Sequence, residues 1–386
     1  MAKKAFKFRL WTNANQEREL SIMLETHRRL YNAALAQRKD SWETLKIGVK
    51  YTEQSAWYKA QRRENPWFRR INFSSAQGTL RRLDKAFANF FRRVKGGEKP
   101  GYPRFKGADR FESIEFPSHG DGIRLSGNRL RVQHVGRVRV CLHRPVEGTI
   151  KALTLKREVD KWFLIVVCEL PPYPEPANIN PPAGLDVGLE HFLTTSDGEH
   201  LANPRFLKTE LPALRRAGRS VSRKKLRGAN RHKAVKVLRR KHARIANLRR
   251  EHAHKISNSL LNRYGLIAVE RLNVQGMLRN RRLARAIADA GWAGFISTLK
   301  SKAARAGARV VEVDPGGTSQ ECSGCGAEVP KTLSTRLHRR SCGLVLHRDL
   351  NAARNILRLA LAQLGTSWLS ANAAVAGLLK EAVCFS

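Results

Sequence analysis

The 386-residue sequence predicts an α/β domain preceded by a β-barrel. Three observations carry that expectation. Between about residues 105 and 170 the chain reads as short segments of alternating character, "SIEFP", "GIRLSGNRLRV", "RVRVCL" and "KWFLIVVCEL", separated by turn residues. That is the pattern of a small antiparallel barrel or curled sheet. Beyond residue 182 apolar strands alternate with amphipathic helices, as in a sheet covered by helices. Between the two regions lies "PPYPEPANINPP", Pro171 to Pro182, a Pro-rich linker and the clearest domain boundary in the chain.

Taken in order, "KAFKFRLW" alternates, with Phe6, Phe8 and Leu10 on one face and basic residues on the other, so it predicts a strand that completes the barrel. The helices of residues 13–104 are then an insertion within it. Asn13 followed by Gln16 predicts a capping box, and Leu20, Leu24, Leu30 and Tyr31 a core stripe. "SSAQGTLRRLDKAFANFFRRVK" predicts a helix with Leu80, Leu83, Phe87, Phe90 and Phe91 on its apolar face, broken by "GGEKPGYPRFKG". "LSGNRL" reads as a hairpin. In the second half, "AGLDVGLEHFLTTSDGEHL" predicts strand, turn and strand. A very basic helical region follows from Leu211 to about Tyr264, with Leu238, Ile245 and Leu248 on its apolar side. "YGLIAVERL" predicts a buried strand, "GWAGFISTLKSKAARAG" an amphipathic helix and "ARVVEVDP" a further strand.

Lys and Arg number 73 against 32 Asp and Glu, a formal net charge of +41. A chain so charged repels itself unless polyanions neutralise it, and nucleic acid is the expected partner. No leader follows the opening lysines, no segment reaches membrane-spanning length and no anchor motif accompanies the charge, so a cytoplasmic protein with no membrane partner is expected. Of six cysteines only Cys322, Cys325 and Cys342 cluster, as in metal-binding proteins of reducing compartments, and Cys168 reads as a core thiol.

Three carboxylates stand out. Asp186 is read as mid-strand, with Ala183, Leu185, Val187 and Leu189 on the opposite face and Gly184 and Gly188 beside it. Glu270 ends the run "LIAVE". Asp349 opens a helix whose apolar face includes Leu350, Ala353, Ile356 and Leu357. Phosphodiester hydrolysis requires such a set, because two Mg²⁺ ions about 3.5–4 Å apart must be held by oxygen ligands from distant segments. Each acid also has a plain alternative: a helix cap for Asp349, a salt bridge for Glu270, a turn for Asp186. "CSGCG" opens like a zinc knuckle, but in "LHRRSCGLVLHRDLN" Arg339 occupies the place of the partner cysteine.

"GLDVGLEHFLTTSDG", "LIAVERLNVQGMLRNRRLARAIADAGWAGF", "TSQECSGCG" and "HRDLNAARNIL" together resemble the TnpB proteins of bacterial insertion sequences, compact relatives of type V CRISPR effectors; "LYNAALAQRKD", "AQGTLRRLDKAFANFF" and "GYPRFKG" extend the likeness through the N-terminal half. The resemblance implies a transposon-encoded RNA-guided DNA endonuclease. Its fold would be a wedge-type β-barrel (1–12 and 105–170) carrying a helical recognition bundle (13–104). A RuvC nuclease of RNase H-like fold (183–315 and 345–365) would follow, with a zinc-finger-like insertion (316–344) and a tail (366–386). It implies that Asp186, Glu270 and Asp349 bind Mg²⁺ and are catalytic. The partners would be a transposon-end guide RNA on a monomeric protein and a double-stranded DNA target with a short adjacent motif. Tyr51 and Gln77 align with the family's motif readers, and Arg279, Arg281 and Arg282 belong to a basic run that would contact nucleic acid beside the site. The family's knuckle has four cysteines. Cys322, Cys325 and Cys342 match three, and His338 is the nearest residue able to complete a Cys₃His zinc site, since guanidinium stays protonated. Two other functions stay open on the sequence: a guided DNA-binding repressor on the same scaffold, and an acid-triad transposase.

Overall fold

The computed structural model describes residues 2–172, 180–330, 335–339 and 342–365. The chain forms two compact units, Met1–Pro172 and Tyr173–Ser386.

In the first unit, strand β1 (Ala2–Trp11) leads into helices α1 (Ala14–Leu45), α2 (Tyr51–Glu64), α3 (Pro66–Arg69) and α4 (Phe73–Lys95). Six strands follow: β2 (Ser113–Phe116), β3 (Ile123–Ser126), β4 (Arg129–Val132), β5 (Gly136–Cys141), β6 (Thr149–Glu158) and β7 (Lys161–Leu170). They form one antiparallel, barrel-like sheet of seven strands in the order β2-β6-β7-β1-β5-β4-β3. The first strand of the chain is therefore the middle strand of the sheet. It pairs with β7 from Ala2↔Leu170 to Arg9↔Phe163 and with β5 from Arg9↔Cys141 to Trp11↔Arg139. Its alternation explains this: Phe6, Phe8 and Leu10 are buried, while Lys3 is exposed and Lys7 half-buried. The "LSGNRL" hairpin forms as β3 and β4, with Ser126 opposite Arg129 and Gly127 at φ +49° in the turn.

The Asn13–Gln16 capping box is present, each side chain bonding the other's backbone N–H (2.8 and 3.1 Å), and Leu20, Leu24, Leu30 and Tyr31 are buried. On α4, Leu80, Leu83 and Phe87 are buried, whereas Phe91 is 54% exposed. The exposed end of that stripe is covered in part by Tyr102, whose ring meets Phe87 at 5.6 Å and Phe90 at 5.4 Å.

The second unit is built on strands β8 (Pro182–Asp186), β9 (His191–Thr195) and β10 (His200–Ala202), helices α5 (Phe206–Ser222) and α6 (Ala229–Arg263), and strand β11 (Leu266–Glu270). Next come helices α7 (Val274–Met277), α8 (Ala284–Ala290) and α9 (Trp292–Ala303), strand β12 (Arg309–Val313), a small hairpin β13 (Leu337–Arg339) and β14 (Val345–His347), and helix α10 (Arg348–Leu364). The basic segment expected as one helical region is thus two helices, separated at Gly228, and of its three marked apolar residues only Ile245 is buried. The sheet order is β10-β9-β8-β11-β12. β8, β11 and β12 are parallel neighbours; β9 and β10 continue antiparallel.

Both faces of β11 are covered, which is why it reads as an unbroken apolar run. Ile267 and Val269 pack with Leu185, Leu260, Phe295 and Leu299, the side of α6 and α9. Leu266 and Ala268 pack with Ile356 and Ala360 of α10. Asp186 proves to be the last residue of its strand rather than mid-strand, and Val187 and Leu189 lie beyond it. The cause is the turn that follows, where the Gly188 N–H bonds the Phe192 carbonyl (3.3 Å) and starts β9.

Candidate active site

Register and pleat bring the acids together. Val269 lies opposite Leu185 on parallel strands, so the next residues, Glu270 and Asp186, end two neighbouring strands side by side. Side chains alternate across a sheet. With Ala183, Leu185, Ile267 and Val269 in the core of one face, residues 184, 186, 268 and 270 face the other, the α10 face. Gly184 makes close approach possible there: a Cβ on it would collide with the Ala353 carbonyl and stand 2.8 Å from the Leu357 nitrogen. From Gly184 to Asp186 the strand advances about 6.6 Å. From Ala353 back to Asp349 the helix recedes about 6 Å. With α10 laid against the strand at Gly184, Asp349 at the helix start lies near enough to Asp186 to act on its carboxyl.

The electrostatics agree with that convergence. Burial pushes the Asp186 carboxyl well above the usual carboxylate range; Glu270 and Asp349 push it further, and Arg348 opposes them. Glu270 is also raised, chiefly by burial, against the hydrogen bond it accepts from the Thr318 hydroxyl. Asp349 is 9% exposed. It is not the helix cap. His347 holds that position, its Nδ1 accepting from the Asp349 N–H (3.4 Å) and standing 3.8 Å from Asp349 Oδ2. Three carboxylates crowded in a partly dehydrated corner are costly alone and are relieved by a hard dication, whose preferred ligands are carboxylate oxygens. The donor chemistry of the three acids fits Mg²⁺; among the described residues only the three cysteines bring three ligand atoms within 4.8 Å of one another.

Several residues at this site escaped the sequence reading. Asn351 and Asn355, fully buried, staple α10 to the loop that leads into the cysteines. Asn351 donates to the Glu321 carbonyl (2.7 Å) and accepts from the Ser323 N–H (2.9 Å); Asn355 donates to the carbonyls of Thr318 (2.9 Å) and Glu321 (2.7 Å). They take the buried face at which Leu350 and Leu357 were expected, and those two leucines are only half-buried. The available signal was two asparagines four apart on one face of an apolar helix, which is uncommon unless both are bonded. His191, His200 and His347 pack together beside Asp349, with ring centroids 4.6 to 6.0 Å apart.

Cys322, Cys325 and Cys342 have their sulfurs within 4.8 Å of one another. His338 is not in that group. It lies fully buried on β13 opposite Leu346, because the hairpin's alternation turns Leu337 and Arg339 outward and His338 inward. In the first unit Tyr51 and Gln77 are brought together: the Tyr51 hydroxyl donates to Gln77 Oε1 (2.6 Å) and accepts from Arg81 Nε (3.2 Å). In the second unit Arg279, Arg281 and Arg282 are exposed. The latter two line a cavity of about 680 Å³ with Arg205, Lys208 and Arg285. The Asp289 carboxylate at its edge is already engaged by the Leu207 N–H (2.9 Å) and Arg249 (2.7 Å). The wall is therefore strongly cationic. Among the described residues no helix is long and apolar enough to cross a membrane.

Comparison with known proteins places this geometry in context. Residues 165–281 match a family described as "Probable transposase" (OrfB_IS605), residues 292–356 a "Cas12f1-like, TNB domain", and residues 1–46 a "Helix-turn-helix domain". The last description does not fit the conformation here, a strand and one 32-residue helix. A "Putative RNA-guided DNA endonuclease" of Streptomyces pristinaespiralis is 33% identical over 369 residues, 93% of this chain and 90% of the relative. The "Putative RNA-guided DNA endonuclease InsQ" of Escherichia coli K12 is 28% identical over 379 residues, 92% and 91% of the two chains. The fold is similar to that of a chain in a solved Cas12f1–sgRNA–target DNA complex, with a TM-score of 0.58 at 14% identity over 92% of this chain and 98% of that one.

Proposed function

The chain belongs to the TnpB family, and from that premise we propose that it is a transposon-encoded RNA-guided DNA endonuclease whose cleavage site is Asp186, Glu270 and Asp349. The observation that carries the reading is the convergence of these carboxylates from two strand ends and a helix start on one face of the sheet. A five-stranded order with β8 between an antiparallel hairpin and two parallel partners supports a RuvC-like, RNase H-type nuclease. The barrel is then the wedge domain, α1 to α4 the recognition bundle, and the cysteine loop a zinc-binding insertion.

Two Mg²⁺ ions, when bound, supply the activated water and neutralise charge on the leaving oxygen. The protein's share is geometric. Asp186 and Glu270, fixed at adjacent strand ends, and Asp349, fixed by the α10 contact at Gly184, present their carboxylates on one face of the sheet before substrate arrives. Thr318 orients Glu270 through its hydroxyl, and His347 orients the helix start that carries Asp349. The cationic cavity of Arg281, Arg282 and Arg285, with the neighbouring Arg279, holds the backbone of the strand entering the site. One such site cuts the two DNA strands in turn.

Tyr51 and Gln77, joined by the hydrogen bond between them, act as a pair in reading the target-adjacent motif. The remaining sequence is read by a transposon-end guide RNA through base pairing, with one protein monomer per RNA, in the cytoplasm. Expression of the gene with its flanking DNA, purification and sequencing of the bound RNA tests this. A discrete RNA ending in sequence from the transposon boundary is expected, and reprogramming its end should deplete plasmids carrying the new target beside one short motif. A protein that copurifies only bulk cellular RNA contradicts the guided reading.

A further inference from the structure

The cysteine loop departs from a four-thiolate site in a way that sets its chemistry. Each half has its turn in place. Gly326 closes the first, its N–H bonding the Cys322 carbonyl (2.9 Å) at φ +75°, and Gly343 follows Cys342 at φ +84°. Cys322 is fully buried, whereas Cys325 and Cys342 are exposed. Three sulfurs thus form one face of a tetrahedron with its inner corner closed and its outer corners at the surface. The residue in line to close it, Arg339, is an exposed guanidinium with no lone pair to give. His338, buried opposite Leu346, does not bring a ring nitrogen into the group of three sulfurs.

We propose that this loop binds zinc through Cys322, Cys325 and Cys342 alone and keeps the fourth coordination position for a solvent molecule or a small exogenous thiol. Structural zinc sites are normally closed by four protein ligands, and open positions belong to sites that exchange ligands. The site is therefore an exchangeable one. Its metal is reached by chelators from the solvent side, and a small thiol occupies the fourth position reversibly.

The test is metal analysis and zinc X-ray absorption of the full-length protein with its RNA, with Co²⁺ substitution for optical readout. About one zinc per chain is expected, with three sulfurs and one oxygen and no outer-shell signature of an imidazole ring. Adding 2-mercaptoethanol should convert the fourth scatterer to sulfur and strengthen the Co²⁺–thiolate absorption. Arg339→Cys should give four sulfurs in the absence of added thiol and slow zinc removal by EDTA by about ten-fold or more. Three results overturn the proposal: an imidazole signature that disappears in His338→Gln, a fourth sulfur that disappears in Cys384→Ser, or a wild-type protein without zinc beside an Arg339→Cys variant that binds it.

Discussion

Asp186 is the residue on which the site turns, because burial and two neighbouring carboxylates act on it together. Its folded pKa is raised, so the folded state holds the proton more tightly than the unfolded one. The stability this gives is present at low pH and is lost as the pH rises from the ordinary value of 3.8 through the raised folded value. In metal-free buffer near neutrality Asp186→Asn should therefore melt higher than the wild type, by roughly 2–4 °C for each kcal/mol relieved. Calorimetry in EDTA measures this, and the gap should close at pH 4. Mg²⁺ should raise the wild-type melting temperature and leave the variant nearly unchanged. The three acids stood out in the sequence because each is a carboxylate set within or at the edge of an apolar element, although Asp186 was read as mid-strand and ends its strand instead. Thr318 and His347 did not stand out, since a hydroxyl in a loop and a histidine before a helix carry no pattern of their own.

At the scale of elements, the contact of β8 with α10 decides whether the third acid arrives. Gly184→Ala puts a methyl into the Ala353 carbonyl. Overpacking of this kind costs about 1–3 kcal/mol, and here the helix can relieve it only by moving Asp349 away. The variant should lose most Mg²⁺-dependent cleavage while still binding guide RNA, which a gel-shift and a cleavage assay separate. Asn355→Ala should destabilise by about 1–3 kcal/mol, because the Thr318 and Glu321 carbonyls lose a buried donor. Denaturant unfolding reads that directly. Gly184 and the asparagines show where sequence reading stops. Periodicity found the α10 helix and the β8 strand, though not where β8 ends, and a close approach between them is a property of the pair. Apolar pattern alone likewise placed Leu350 and Leu357 in the core positions that Asn351 and Asn355 fill.

For the whole molecule, the dominant quantity is the net charge of +41. The exposed arginines of α5, α6 and the 279–285 run have few acidic partners among the described residues, so nucleic acid supplies the compensation. Affinity for the guide should fall by about 10³-fold or more between roughly 50 and 200 mM salt, measured by filter binding. In the sequence the Pro-rich stretch separates alternating strands from mixed strands and helices, and the division between the two compact units falls after Pro172. The seven-stranded order was not legible there: nothing local in "KAFKFRLW" says that the first strand is the middle one, since pairing over more than 150 residues leaves no periodic trace.

Cleavage and binding measured in parallel with a reprogrammed guide test the assignment of this site most directly. Wild-type protein carrying that RNA, given a matching plasmid and Mg²⁺, should bind and cut it. Asp186→Ala should bind with unchanged affinity and cut slower by about 10³-fold or more. Guide-dependent binding by both proteins with cutting by neither, or cutting unaffected by Asp186→Ala, contradicts the assignment of this site.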